Sequence, residues 1–399
     1  MEVFVARHPI FDQQKEVYGY ELAFRSDFEE YYTALESGKE TVDFMAFVNF
    51  NELADGKRGI VNFSRSLLLK NFPFLLPKES LTVGISADLE PDPEVLEKLN
   101  ELKDAGYTLA LKGCKPERPP GPLLDFVNIV RFDSKELNGQ SVKICQVLRQ
   151  RGIMPLAEGV ESSGEFDQAV QKGYSLFKGD FFSKPVENPD KEITANKLTY
   201  MKLLKEVNSP EMDYGKISSL IQQDVSMTFR LLKFMNSAWF GLRYEVNSIR
   251  HALVLLGPKE IRRWISMVVI TNTGDDKPHE LLLRSLTRAK VAEQIGPMAN
   301  MGNMAPELFL MGMFSVIDAL TDRPMEGILQ EVPLNENISA ALLGGSNQFR
   351  LVLDMILNYE KGDWELFGQH AKSLAVDEKQ IPQLFRSSLK WANGALAEM

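Results

Sequence analysis

The sequence predicts an α/β barrel followed by an all-helical domain. Three observations lead to this fold class. The chain has 399 residues, more than the roughly 250 to 300 at which single domains usually stop growing. Up to about residue 190, short apolar runs alternate with amphipathic helical stretches, the pattern of a mostly parallel sheet. Beyond that point the strand pattern ends and apolar residues recur at helical spacing.

Seven segments of the first part have the short apolar character of strands. They are EVYGYELAFR, GIVNFS, LTVGIS, YTLALK, FVNIVRFD, IMPLAEG and YSLFKGDFF. Between the third and the fourth, DPEVLEKLNELKDAG has helical spacing, with Asp92 suited to a helix start and Gly106 to a helix end. About seven strands alternating with helices favour a closed, TIM-like (β/α)8 barrel.

The second part contains only helical signals. Ile217, Leu220 and Ile221 follow one another at helical intervals. In SIRHALVLLG, Ser248 suits a helix N-cap, Gly257 suits the end of that helix, and the following proline suits the first position of the next one. Five or six further helices are expected up to the C-terminus.

Composition excludes several classes of protein. The net charge is −10, without the basic balance expected of a nucleic-acid binder. Apolar runs such as WISMVVI are far shorter than the roughly 20 residues that cross a bilayer, and the start MEVFVARHPIF lacks a signal-peptide pattern. Cys114 and Cys145 are the only cysteines, too few for a disulfide framework. A cytoplasmic protein with no membrane or nucleic-acid partner is therefore expected.

Two sets of motifs resemble known signalling domains. HPIFDQQKEVYGYELAFR, VNFS at 61–64, PLAEGVES at 155–162 and GYSLFKGDFFSKP at 173–185 resemble the EAL domain, whose members hydrolyse cyclic di-GMP. LLKFMNSAWFG, SIRHALVLLG and IRRWISMVV resemble the HDOD domain. The resemblance implies a degenerate EAL domain at 1–190, a linker or joining helix at 191–205, and an HDOD domain with a C-terminal helical extension at 206–399.

The resemblance implies a site of two divalent cations held by oxygen ligands, as Mg²⁺ and Mn²⁺ require. Four positions retain the family's metal-site residues, namely Glu21, Asn62, Glu158 and Glu161. Arg25 matches the arginine that contacts the substrate phosphate.

Five positions depart from the family pattern. Gly84 stands in place of a glutamate, Lys112 and Gly113 replace two adjacent aspartates, Arg131 replaces a lysine, and Lys178 replaces a glutamine. An ammonium at position 112 would repel a cation as well as fail to bind it. We therefore expect the metal site to be lost, no cofactor to be needed, and the phosphodiesterase to be inactive.

Three hypotheses for the barrel follow. In the first, which we prefer, Lys112 neutralises Glu21 and Glu158, and the protein acts in signal transduction through protein contacts of both domains. In the second, Arg25, Lys112, Arg131 and Lys178 bind cyclic di-GMP without a metal, since lysine and arginine suit phosphate. In the third, hydrolysis persists.

The helical part is expected to lack a metal site as well. HDOD domains resemble HD-type metal phosphohydrolases without their His-Asp ligands, and Ser315 and Val316 stand at those positions. The expected partners are signalling proteins, with cyclic di-GMP and a second copy of the chain as further candidates.

Overall fold

The computed structural model describes residues 3–25, 50–115, 121–136, 139–186, 195–236, 246, 248–274 and 277–398. The chain divides into two compact units. The first comprises Met1–Phe182 and Leu357–Leu366, and the second comprises Ser183–Ile356 and Phe367–Met399. Residues 187–194, which end the predicted EAL domain and begin the predicted linker at 191–205, lie outside the described residues, as do residues 237–241 of the LLKFMNSAWFG motif.

The first unit contains a closed barrel of eight strands in chain order. They are β1 Val5–Phe11, β2 Val17–Phe24, β3 Arg58–Asn62, β4 Leu81–Ser86, β5 Thr108–Cys114, β6 Ile129–Asp133, β7 Met154–Glu158 and β8 Leu176–Lys178. β1 is antiparallel to both β2 and β8, whereas the other neighbouring pairs are parallel. The predicted barrel is confirmed. β1 was missed because Arg7, His8 and Pro9 interrupt its apolar pattern.

Helices connect the strands of the barrel. They are α1 Phe50–Leu53, α2 Arg65–Leu69, α3 Pro93–Asp104, α4 Gly139–Gln150 and α5 Ser163–Gln171. The predicted start of α3 is confirmed, because the Val95 N–H donates to Oδ1 of Asp92 at 2.9 Å, which satisfies an amide that the helix itself leaves unpaired. Gly106 follows the helix with a φ of +89°, where glycine avoids the strain of a side chain.

The interior of the barrel is apolar at its centre. Its buried core residues are Ile10, Ile60, Ala110, Ile129, Leu156 and Leu176. Side chains alternate between the two faces of a strand, so residues two positions further along face the same interior, one layer closer to the carboxyl ends of the parallel strands. That next layer carries the polar residues of the candidate site.

The residues from 195 to 398 contain helices and no strand among those described. These helices are α6 Ala195–Val207, α7 Tyr214–Gln222, α8 Val225–Met235, α9 Ile249–Thr273, α10 His279–Met298, α11 Ala305–Phe314, α12 Ile317–Thr321, α13 Met325–Glu331, α14 Glu336–Leu342, α15 Gln348–Lys361, α16 Trp364–Ser373 and α17 Ile381–Glu398. The predicted all-helical class is confirmed.

Two glycines shape this helical part. Ser248 caps α9, and Gly257, with a φ of +72°, kinks the helix just before Pro258, as the sequence predicts. Gly312 allows α11 to approach α10 closely, since a Cβ at that position would lie 2.5 Å from the backbone oxygen of Arg288. Among the helices of the described residues, none combines the length and the apolar character needed to span a membrane.

Candidate functional site

Polar side chains from five strands meet at the carboxyl-end mouth of the barrel. They are Glu21 of β2, Asn62 of β3, Arg131 of β6, Glu158 of β7 and Lys178 of β8. The last four lie two residues beyond the core residues Ile60, Ile129, Leu156 and Leu176 of the same strands. This is the end of a barrel at which catalytic and binding residues occur in TIM-type folds.

Arg131 is at the centre of this cluster and is fully buried. Its Nη2 donates to Oε1 of Glu21 at 2.6 Å and to Oε1 of Glu158 at 2.5 Å. Its Nη1 donates to Oδ1 of Asn62 at 3.2 Å, and Asn62 in turn donates from Nδ2 to Oε1 of Glu21 at 2.9 Å. The planar guanidinium thus joins two carboxylates and an amide that come from three separate strands.

Lys178 and Lys112 add two ammonium groups to the same carboxylates. Nζ of Lys178 pairs with Oε2 of Glu21 and lies 3.5 Å from Oε1 of Glu158. Nζ of Lys112 lies 3.8 Å from Oε1 of Glu21, too far for a hydrogen bond. The sequence assigned the neutralising role to Lys112, whereas the structure gives most of it to Arg131 and Lys178.

A close backbone contact fixes the position of Lys178. Its carbonyl oxygen accepts a hydrogen bond from the Val160 N–H at 3.0 Å. A Cβ at the adjacent Gly179 would lie 2.0 Å from the backbone oxygen of Val160. Only a glycine therefore permits the end of β8 to approach the segment after β7, and this approach brings Lys178 next to Glu158.

The cations determine the ionisation of Glu21. Burial alone would raise the pKa of this carboxyl, but Arg131, Lys178 and Lys112 together hold it far below its usual range. For Arg131, burial acts to lower the pKa, and the two carboxylates outweigh it and raise the pKa above the ordinary arginine value. Glu21 and Arg131 are therefore both charged at neutral pH.

Gly84 is enclosed by its neighbours. A Cβ there would lie 2.4 Å from Oδ1 of Asn62 and 3.0 Å from the backbone oxygen of Val61. The side chain of Asn62 thus takes the space that a larger residue on β4 would need. The glutamate of the family pattern cannot be accommodated at this position without a shift of Asn62.

Lys112 and Gly113 lie at an irregular part of the barrel. The pairing of β5 with β6 shifts register between Leu111 and Cys114, and Gly113 has a φ of +81°. An aspartate at Gly113 would be strained in this conformation. Bulges of this kind occur often beside active sites, where they redirect a side chain, and here the bulge includes Lys112.

Arg25 and Glu161 lie outside the contacts of Arg131. Arg25 is exposed just beyond β2, and its guanidinium lies 4.8 Å from the ring centre of Phe4. Glu161 is exposed beyond β7, and its N–H donates to Oε2 of Glu165 at 2.7 Å. Of the residues predicted to bind a ligand, Arg131 is inside the barrel and closed to direct contact, whereas Arg25, Lys112 and Lys178 reach solvent.

The cluster has the oxygen chemistry of a metal site but not the arrangement. Glu21, Asn62 and Glu158 provide the hard oxygens that Mg²⁺, Mn²⁺ and Ca²⁺ bind. Arg131 and Lys178 already hold both oxygens of Glu21 and Oε1 of Glu158. No cluster of three or more metal-ligating His, Cys, Asp or Glu side chains occurs in the described parts of the chain. This arrangement does not fit a divalent cation.

The residues at the expected His-Asp positions of the second unit have structural contacts. Ser315 donates from Oγ to the backbone oxygen of Gly312 at 2.7 Å and accepts from Nη1 of Arg288 at 3.1 Å. Val316 is buried. Nearby, burial raises the pKa of the Asp318 carboxyl.

The central role of Arg131 was missed from the sequence, which assigned it to ligand contact. One signal was available. Arg131 stands two residues after Ile129 in a strand, so alternation predicts that its side chain points into the barrel. A guanidinium at such a position must be neutralised by carboxylates from other strands.

Comparison with known proteins identifies the family. The HDOD domain family matches residues 195–321. The chain is 31% identical to the cyclic di-GMP phosphodiesterase CdgJ of Vibrio cholerae serotype O1, over 98% of this chain and 92% of the relative. This chain belongs to the EAL–HDOD family of cyclic di-GMP signalling proteins. It is also 32% identical to the uncharacterised protein YuxH of Bacillus subtilis, over 99% of both chains.

Solved structures with similar chains are EAL proteins. One is a standalone EAL protein of Vibrio cholerae O395 with bound cyclic di-GMP, at 22% identity and a TM-score of 0.34, covering 47% of this chain and 96% of that one. Another is the calcium and cyclic di-GMP complex of Klebsiella pneumoniae BlrP1, at 17% identity and a TM-score of 0.36, covering 47% and 56%.

Two expectations from the sequence are corrected by these relatives. The expectation that the chain is not an enzyme is contradicted by CdgJ, a phosphodiesterase similar over nearly the full EAL–HDOD length. The expectation that no cofactor is needed rested on the expected loss of phosphodiesterase activity, and it is contradicted together with that expectation. Both expectations rested on counting lost ligands at single positions.

Proposed function

We propose that this EAL–HDOD protein binds cyclic di-GMP at the mouth of its barrel. The observation that carries the proposal is the charge of the mouth cluster. Glu21 and Glu158 contribute −2, and Lys112, Arg131 and Lys178 contribute +3, which leaves +1. A cluster with excess positive charge at the carboxyl ends of barrel strands suits an anionic phosphodiester.

The accessible cations would make the contacts. The side chain of Lys112 is 48% exposed and that of Lys178 is 19% exposed. Arg25 is exposed beyond β2. Lysine and arginine form charge-assisted hydrogen bonds with phosphate oxygens. Arg131 would not contact the nucleotide. It would hold Glu21 and Glu158 in place from inside the barrel.

Hydrolysis of the bound phosphodiester is a second candidate function, favoured by the similarity to CdgJ over 98% of this chain. Within the cluster, the side chain of Glu158 is 17% exposed against 4% for Glu21. Glu158 would therefore be the carboxylate that water can reach and the group that could accept its proton. Arg131 is unsuited to that role, because its pKa lies above the ordinary arginine value.

The test is a calorimetric titration of cyclic di-GMP into the full chain, with and without Mg²⁺, followed by chromatography for product. Lys112→Gln and Arg25→Gln should each weaken binding about tenfold or more, the loss expected for a hydrogen bond to a charged group. Lys57→Gln is the matched control, because Lys57 is exposed and precedes β3 at the opposite end of the barrel.

The outcomes separate the two functions. Binding that weakens in Lys112→Gln but not in Lys57→Gln supports nucleotide recognition at the mouth. Product that accumulates with the wild-type protein and is lost in Glu158→Gln supports hydrolysis. No heat of binding under either condition would overturn the proposed function.

We also propose that signalling proteins are partners of the helical part, supported by exposed apolar side chains on two of its helices. Phe229 of α8 is 65% exposed, and Val254 and Leu255 of α9 are 63% and 47% exposed. Because isolated exposed apolar residues are common on protein surfaces, the role of these three side chains is tested by replacing them. Replacing all three by Ser or Thr should abolish binding to a co-purifying partner without altering the melting temperature.

A further inference from the structure

The segment Leu357–Leu366 belongs to the first unit, although it lies far along the chain from the barrel strands. It contains the end of α15, a turn at Gly362 with a φ of +74°, and the start of α16. The chain on either side of it, up to Ile356 and from Phe367, belongs to the second unit. We call Leu357–Leu366 the covering segment.

The inward face of β1 and β2 continues beyond the candidate site toward the mouth. Alternation along β1 from the core residue Ile10 places His8 and Ala6 on the same inward face. His8 is paired in register with Glu21. Ala6 is paired with Ala23, which puts this pair one layer beyond Glu21 and closer to the mouth.

The covering segment lies against this inward face. Nε2 of His8 lies 3.1 Å from the backbone oxygen of Glu360, within hydrogen-bonding distance. A Cβ at Gly362 would lie 3.4 Å from that of Ala6 and 3.9 Å from that of Ala23. The turn of the segment therefore covers the β1–β2 side of the mouth, in the layer directly beyond the carboxylate of the site.

Trp364 connects the covering segment to Arg25. Its ring meets the rings of Phe4 and Tyr359 edge to face, with 6.1 Å and 5.4 Å between the ring centres. The guanidinium of Arg25 lies 4.8 Å from the centre of the same Phe4 ring. Because Arg25 is one of the cations proposed to contact the nucleotide phosphate, a nucleotide that reaches Arg25 meets the covering segment beside it.

The charge of the covering segment also opposes an anionic ligand. Glu360, Asp363 and Glu365 contribute −3 and Lys361 contributes +1, which leaves −2. The mouth cluster carries +1, so the segment brings the opposite sign of charge to the cations that suit a phosphate. Both the volume and the charge of the segment therefore act against a phosphodiester on this side of the mouth.

We propose that the covering segment is a built-in inhibitor of the barrel mouth, which moves away from β1 and β2 when cyclic di-GMP binds. This inference rests on the proposed function of the same site. The contacts of the segment are separate from the hydrogen bonding between the strands, so it can move while β1 stays paired with β2. Since both its ends continue into the second unit, it joins the mouth to the helices that we propose as the binding place of signalling proteins.

A reversible crosslink tests the proposal. Ala23→Cys with Gly362→Cys places two thiols on Cβ atoms 3.9 Å apart, within the range of about 3.5 to 4.5 Å that a disulfide requires. The oxidised full chain should bind cyclic di-GMP at least about tenfold more weakly than the same chain after reduction, because the open fraction falls. Ala23→Cys alone, treated with the same oxidant, is the control, and the native Cys114 and Cys145 are buried.

Trp364→Ala tests the opposite direction and leaves the turn at Gly362 intact. Loss of the indole ring removes the contact with Phe4, so nucleotide binding should become about threefold tighter or more as the open fraction rises. Trp391→Ala is the matched control. Trp391 is also half-buried and also packs edge to face against a phenylalanine ring, but it lies in the second unit, and its loss should leave the affinity unchanged.

A labelling rate measures the covering segment without nucleotide. The thiol introduced by Ala23→Cys lies beneath Gly362, so it reacts with a bulky maleimide only when the segment opens locally. Adding Trp364→Ala should accelerate this labelling about tenfold or more, whereas adding Trp391→Ala should not.

Three results overturn the proposal. One is equal affinity for cyclic di-GMP in the oxidised and reduced forms of the crosslinked chain. Another is weaker binding in Trp364→Ala, because the segment would then be part of the binding site. The third is an equal labelling rate with and without Trp364→Ala. Absence of cyclic di-GMP binding in every variant would overturn the proposed function instead, and the labelling rate would then decide alone whether the segment covers the mouth.

Discussion

Nη2 of Arg131 lies 2.6 Å from Oε1 of Glu21, and both side chains are buried at the mouth of the barrel. The guanidinium also holds Glu158, so one side chain joins strands β2, β6 and β7. Removing one member of such a buried ion pair destabilises the fold, because the charge that remains is buried and has no water to replace the lost contact.

Replacement of Arg131 by Met should strongly destabilise the barrel. Glu21 and Glu158 would keep only the partly exposed Lys178 as a shared cation. Breaking a buried ion pair costs about 3 to 5 kcal/mol. Denaturant unfolding of the full chain, followed at the transition of the first unit, measures this loss. The double variant Arg131→Met with Glu21→Gln should lose less. An equal or greater loss in the double variant would contradict the ion-pair explanation.

Glu21 should make the protein sensitive to acid. Its pKa in the folded chain lies below the ordinary value of 4.5, so its ionised form contributes stability above about pH 4.5. That contribution is lost as the pH falls below this value, because the unfolded state binds one proton more than the folded state. Unfolding midpoints of wild type and Glu21→Gln between about pH 3 and about pH 6 test it. The acid-side slope should be shallower in the variant by about one proton, and parallel slopes would refute the prediction.

Gly179→Ala should destabilise the barrel more than most single substitutions. The added Cβ would lie 2.0 Å from the backbone oxygen of Val160, and neither backbone can move without breaking the pairing of β7 with β8. We expect a loss of about 3 kcal/mol or more. Gly164→Ala is the control, because nothing lies within 4 Å of a Cβ at that helical position. Comparable melting temperatures for the two variants would contradict the close approach.

Gly84→Ala should disturb Asn62 more gently. Its Cβ would meet Oδ1 of Asn62 at 2.4 Å, and this side chain can turn away at the loss of its bonds to Glu21 and Arg131. A destabilisation of about 1 to 3 kcal/mol is expected, as for other overpacked interiors. Placing the same substitution in Asn62→Ala should remove most of the cost. A full cost in that background would show that Asn62 is not the obstacle.

The two cysteines should be unreactive in the folded protein. Cys114 and Cys145 are free and buried. Burial is the main cause that raises the pKa of Cys114 to about 12 and that of Cys145 to about 11, so the reactive thiolate is scarce at neutral pH. A chromogenic disulfide reagent at about pH 8 should label neither thiol in native protein and both in denaturant. Rapid labelling of the native chain would contradict the burial.

The order of the strands and the change to helices were predictable from the sequence. The signals that predicted these elements are local: the alternating apolar runs, Asp92 before α3 and Gly257 within α9. Such signals depend on the nearby backbone and the solvent, and not on contacts between distant parts of the chain. Similarity of the motifs around Glu21, Asn62 and Glu158 also identified the family and indicated which strands supply the site. β1 was not predicted, because Arg7, His8 and Pro9 interrupt its apolar pattern. This strand pairs antiparallel with both of its neighbours.

The partners of the charges in the site were decided by the tertiary structure. From the sequence we assigned Lys112 as the counter-ion of Glu21 and Glu158, and we assigned Arg131 and Lys178 to ligand contact. Strand register and the bulge in β5 place Lys112 at 3.8 Å, whereas alternation on β6 and the contact of Gly179 with Val160 bring Arg131 and Lys178 against both carboxylates. Electrostatic energy depends on distances between strands that are far apart in the chain, and these distances exist only once the barrel has closed.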